Sequence, residues 1–75
     1  MHKPETISVQ DGAIRLGQFL KLAGIADSGA GARELLAEGE VTVNGEVEQR
    51  RGRQLTSGDV VVVALPGGEH SFRVG

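Results

Sequence analysis

The sequence has no cysteine, no tryptophan and no tyrosine, and Phe19 and Phe72 are its only aromatic residues. Without thiols there can be neither disulfides nor thiolate metal sites. The histidines, His2 and His70, lie at opposite ends with no ligand spacing between them, so no metal centre is expected. The longest apolar run, residues 60–65, is far short of the roughly 20 residues that span a bilayer. No apolar leader follows Met1-His2-Lys3-Pro4, so the expectation is a cytoplasmic chain with no membrane partner. Positive charge is scarce as well. Eight Lys and Arg against ten Asp and Glu leave a net charge of −2, a sign that gives phosphate no long-range attraction.

What is present is patterned. Seventy-five residues make one domain, and a chain so short buries only about 60% of its unfolded surface. Residues 1–13 read as an N-terminal extension with frayed first residues, and residues 14–75 as the domain proper. In the extension, Ile7 and Val9 alternate with polar neighbours, as a short strand would, before an Asp11-Gly12 turn. Leu16, Phe19, Leu20 and Ala23 recur at the spacing of one helix face, predicting a helix over 15–23 that Gly24 ends. Asp27-Ser28 offers a side-chain cap for a second helix, with Ala32, Leu35 and Leu36 as its buried stripe and Gly39 as its stop. Gly29 and Gly31 in that helix's first turn cost about 1 kcal/mol each relative to Ala, an expense packing alone does not explain.

Strands follow. Val41 and Val43 alternate with polar residues, and Asn44-Gly45 is a hairpin signal. A two-residue turn would set Val43 opposite Glu46 and Thr42 opposite Val47, mixing apolar and polar residues on each face. A three-residue loop that pairs Val41 with Val47 is therefore the preferred reading. Ser57-Gly58-Asp59 is a turn, residues 60–65 a buried strand, Pro66-Gly67-Gly68 another turn and residues 71–74 a last strand. The expected fold is α+β, two packed helices against a small, mostly antiparallel sheet.

Little of this sequence suggests catalysis. Neither histidine has a nucleophile or an orienting carboxylate nearby in sequence. The carboxylate pairs Glu34–Glu38 and Glu46–Glu48 read as solvated surface, the first on a polar helix face and the second pointing outward from a strand. No enzyme activity and no cofactor are expected. Gly29-Ala30-Gly31 follows a helix and lacks the remaining residues of a dinucleotide fingerprint. Two readings of it remain. One is an anion approaching the free amides of residues 28–31; the other, slightly ahead, is a tight helix–helix turn.

The sharpest chemical feature is Arg50-Arg51-Gly52-Arg53. Guanidinium forks match phosphate oxygens, and a glycine opens the backbone for close approach. The same residues could equally be a solvated loop paired with Glu46 and Glu48, contacts of ~0–1 kcal/mol that specify nothing. Composition leaves these readings even. Lack of exposed aromatics argues against stacking single-stranded bases, so an RNA partner would be held by phosphates and shape.

Taken together, Arg15-Leu16 with Phe19-Leu20, Ser28, Ala32-Arg33-Glu34-Leu35-Leu36, Gly39-Glu40-Val41-Thr42-Val43-Asn44-Gly45 and Gly58-Asp59-Val60-Val61 carry a resemblance. Over about residues 14–63 the chain resembles the small RNA-binding domain named after bacterial ribosomal protein S4. That resemblance implies a two-helix-plus-sheet domain docking on structured RNA, ribosomal or transfer. It places the RNA face at Arg15, Gln18 and Lys21, at Ser28, Gly29 and Arg33, and at Arg50, Arg51 and Arg53. Where the family commonly carries a basic residue after the Ser, this chain has Gly29. Low basicity and Gly29 motivate the alternative, a protein-interaction module that kept the fold but not the RNA role. A monomer is expected, with a protein partner left open.

Overall fold

The computed structural model describes residues 4–75, so the expected fraying of the first three residues and any role of His2 lie outside the described residues. The chain runs β1 (Glu5–Ile7), a 3-10 turn (Gln10–Gly12), β2 (Ala13–Arg15), α1 (Leu16–Leu22), α2 (Gly29–Ala37), β3 (Val41–Val43), β4 (Glu46–Val47), β5 (Gln54–Thr56), β6 (Val60–Leu65) and β7 (Gly68–Val74). Five strands form one sheet in the order β1-β7-β6-β3-β4, and β2 pairs with β5 in a separate two-stranded ribbon. All pairings are antiparallel except β1 with β7. The fold is α+β, as the sequence predicts.

One face of the sheet meets the helices. Val41 and Val43, Val61 and Val63, and Phe72 and Val74 project from it into a single core with Leu16, Phe19, Leu20, Ala32, Leu36 and Leu55. The register sets Val43 opposite Val61 and Val61 opposite Phe72, so apolar side chains line up across three strands. Phe19 of α1 meets Phe72 of β7 edge-to-face, with ring centroids 6.3 Å apart and planes at 81°. That geometry favours the aromatic quadrupoles. Both helices bury the stripe their spacing predicts, though Ala23 and Leu35 sit at its margin, only partly covered. Val60 and Val62 face away from the helices and are half-buried, so β6 is covered fully on one side only, not buried throughout as expected.

The β3–β4 hairpin overturns the preferred register. The turn has two residues, with Val43 opposite Glu46 and Thr42 opposite Val47. Asn44 and Gly45 both take positive φ, 51° and 89°, as a primed hairpin turn requires. A three-residue loop would be required only if Val47 belonged to the core. Val47 lies on an edge strand and is 61% exposed, so nothing pulls it onto the buried face.

Asn44 is fixed from outside the hairpin as well. Its amide donates to the Val60 carbonyl at 2.8 Å, its Oδ1 accepts from the Val60 amide at 2.9 Å, and its Nδ2 donates to Asp59 Oδ1 at 3.1 Å. Asp59 Oδ2 in turn accepts from the Thr56 amide at 2.9 Å. The Asn-Gly and Gly-Asp segments thus form one linked pair of turns. The acceptor role holds the Asp59 carboxyl below its ordinary pKa, chiefly through the Thr56 amide.

Candidate nucleic-acid interface

The first turn of α1 has no side-chain cap, because Arg15 occupies the cap position and its side chain carries no acceptor. The loop after β4 supplies the missing acceptors. The Leu16 amide donates to the Arg53 carbonyl at 2.8 Å and the Gly17 amide to the Arg51 carbonyl at 2.9 Å. Two helix amides that would otherwise face solvent are satisfied by the backbone of the arginine run. Gly17 makes the approach possible. A Cβ there would stand 3.1 Å from the Arg51 Cβ and 3.4 Å from its carbonyl oxygen.

Glu48 organises the loop from within. It is the one buried charged residue among those described, 7% exposed. Oε2 accepts from the Gln49 and Arg50 amides, each at 3.1 Å, and from Arg50 Nε at 3.2 Å. Oε1 accepts from Arg50 Nη2 and Arg53 Nη1, each at 3.2 Å. These donors, Arg50 foremost, lower the Glu48 pKa from 4.5 to about 2. The expectation that Glu46 and Glu48 both point to solvent is therefore corrected. Glu46 is exposed, while Glu48 turns inward because five donors compensate the loss of water.

The outcome divides the arginine run. Arg50 and Arg53 are ion-paired with Glu48, although the Arg50 side chain remains 79% exposed and that of Arg53 30%. Arg51 has no ion pair among the described residues and lines a cleft of about 280 Å³. Arg15, Gly17, Gln18 and Lys21 of the α1 segment, Gly29 and Ala32 of α2, and Gly52 complete the lining. Five residues expected from sequence thus share one cleft: Arg15, Gln18, Lys21, Gly29 and Arg51. Ser28, Arg33, Arg50 and Arg53 are not among its walls.

Ser28 instead caps α2, its Oγ accepting from the Gly31 amide at 3.2 Å. The expected set of anion-binding amides at 28–31 shrinks accordingly, since Gly31 is already engaged. Gly29 sits in the cleft wall, and a Cβ there would meet nothing within 4 Å. Sequence reasoning missed Gly17 and Glu48. Each is one residue of a common type, and its role depends on a contact with a segment distant in the chain or on a turn no motif marks. Elsewhere, Glu38 and Glu40 border a separate groove with Leu35 and Leu65. No three His, Asp or Glu side chains among the described residues are grouped to hold a metal ion. No helix among them is long and apolar enough to cross a membrane.

A helix pair on one face of a small sheet, with an open cationic cleft at the joint of helix and loop, defines a docking domain and not an enclosed active site. The chain belongs to the S4 domain family, which matches it over residues 7–74. It is 50% identical over 68 residues to a protein of Bacillus subtilis (strain 168) named "Probable ribosome maturation protein RlbA", covering 91% of this chain and 92% of that one. It is 41% identical over 51 residues to YbcJ of Escherichia coli (strain K12), provisionally named an RNA-binding protein, covering 68% and 73%. These are not the names of enzymes. The crystal structure of 30S ribosomal protein S4e from Thermoplasma acidophilum superposes with a TM-score of 0.52 at 19% identity. It covers 85% of this chain, which spans 38% of that protein's length, and the likeness shows a shared fold.

Proposed function

We propose that this protein binds structured RNA without catalysis, by docking a phosphate-backbone turn into the cleft formed by Arg15, Lys21 and Arg51. The observation that carries the reading is the convergence of these cations, from two distant segments, on a cleft that no carboxylate lines. Arg51 offers a planar fork to phosphate oxygens, and Arg15 and Lys21 add charge on either side of Gln18, whose amide can donate to phosphate or ribose. Gly29 leaves the wall low enough for backbone approach. Arg50 and Arg53, held by Glu48, shape the loop; Arg33 is exposed on α2 outside the cleft. The name of the RlbA relative, half identical over nearly its full length, supports ribosomal RNA as the target class and a cytoplasmic setting.

Fluorescence anisotropy against a ribosomal RNA fragment at several salt concentrations tests this. Removing one phosphate contact lowers the log–log salt slope by about 0.7–0.9. Arg51→Ala is expected to weaken binding and produce that drop, whereas Arg50→Ala changes the slope by less. A slope unaltered in Arg51→Ala would contradict the reading. Absence of RNA binding even at low salt would favour the protein-interaction alternative, which the net charge of −2 motivates.

A further inference from the structure

Beyond the cationic cleft, on the other side of α1, lies a second groove of about 750 Å³ that shares Gln18 and Lys21 with it. Its floor is aliphatic, with Val9 and Ile14 packed on the core and Leu22 54% exposed. Asp11, whose backbone takes φ 59°, also lines it. A carboxylate is misplaced for contact with phosphate. It is well placed for the N–H groups on the edge of a nucleobase whose flat face lies on an aliphatic floor. The shared residues Gln18 and Lys21 make the two depressions neighbours, so a nucleotide whose phosphate lies in the first has its base within reach of the second.

We propose that this groove is a base-binding subsite and that the RNA carries an unpaired nucleotide beside the docked phosphate, a proposal that rests on the phosphate reading above. Guanine fits best. Its N1–H and N2–H₂ stand side by side and match the two oxygens of Asp11, whereas uracil presents one N–H flanked by two carbonyls that a carboxylate repels. The aliphatic floor replaces the aromatic platform the chain lacks. One splayed base is therefore accommodated where the composition argues against a stacked single strand.

The test titrates the full 75-residue chain with two RNA hairpins that differ only by one guanosine bulged from the stem. The bulged hairpin is expected to bind about fivefold or more tighter, the scale of one base held against a protein face. Substituting uridine for the bulged guanosine removes part of that gain. Leu22→Ser and Asp11→Asn each erase most of the preference while leaving the salt slope and the affinity for the fully paired hairpin unchanged. Asn tolerates the left-handed backbone at this position, so Asp11→Asn tests the charge and not the turn. Equal affinity for the two hairpins, or a preference that survives both substitutions, overturns the subsite. The phosphate reading then still stands if Arg51→Ala lowers the slope, and the groove's exposed Leu22 passes to a protein ligand. No affinity for either hairpin at low salt overturns both.

Discussion

Glu48 is a single residue with five donors around its carboxylate, and its behaviour is a matter of proton linkage. Its pKa falls from 4.5 to about 2 on folding. A depressed pKa means the folded state holds the proton less tightly than the unfolded chain. The stabilisation is therefore fully present above about pH 4.5 and is lost as pH falls toward 2. Thermal melts should show this protein losing stability through that window. Glu48→Gln should melt at a lower temperature at pH 7, lack most of that acid dependence, and converge with the parent protein below about pH 2. Some dependence remains in the variant because the Asp59 carboxyl is lowered in the same direction. Two curves that stay parallel across the acid range would show that Glu48 does not carry this coupling. None of it was legible beforehand. Alternation along the strand pointed Glu48 outward, and only the tight turn after β4, which aims two amides and two guanidinium groups at one point, draws it in.

Among the elements, α1 and the arginine loop act as a unit because each completes the other's hydrogen bonds. The helix contributes unsatisfied amides, the loop contributes carbonyls, and Gly17 lets them touch. Gly17→Ala sets two effects against each other. Alanine is favoured in a helix by up to about 1 kcal/mol. Its methyl group would press on Arg51, at 3.1 Å from its Cβ and 3.4 Å from its carbonyl oxygen, so that Arg51 must shift by a few tenths of an ångström. Stability should shift by less than about 1 kcal/mol, while RNA affinity falls modestly because the Arg51 segment is displaced from its seat on α1. Chemical denaturation and anisotropy on the same variant separate the two. Undiminished affinity would show that the cleft does not depend on the loop's seat. The sequence made the helices plain, with ends within a residue or two of those expected from Arg15, Gly24, Ser28 and Gly39. It gave no hint of the β2–β5 ribbon, because three-residue strands carry too little periodicity to read.

For the whole molecule, the net charge of −2 sets a weak long-range field against a locally cationic cleft. Affinity at such a surface is governed by nearby charges, since counter-ions screen anything beyond about 8–10 Å at ordinary salt. Gly29 is the vacancy in that surface, lying in the cleft wall with open space before it. Gly29→Lys should tighten RNA binding and steepen the log–log salt slope by about 0.7–0.9, with little change in melting temperature. An unchanged slope would mean that phosphate does not pass the start of α2. Three of the carboxylates are set apart from the cleft. Glu48 is consumed by Arg50 and Arg53, and Glu38 and Glu40 border a different groove.

By itself the sequence determined the α+β class, the two helices with their buried stripes and the cationic character of residues 50–53. Helix period, capping residues and charge runs are local properties, written within a few neighbouring positions. Only the tertiary structure decided the hairpin register, the inward turn of Glu48 and which arginine of three faces the cleft. The inward turn of Glu48 depends on a tight turn over residues 48–53 that no motif marks, and the other two on tertiary context, where an edge strand's exposure, a helix's orphaned amides and one absent Cβ choose among arrangements that local pattern leaves equal.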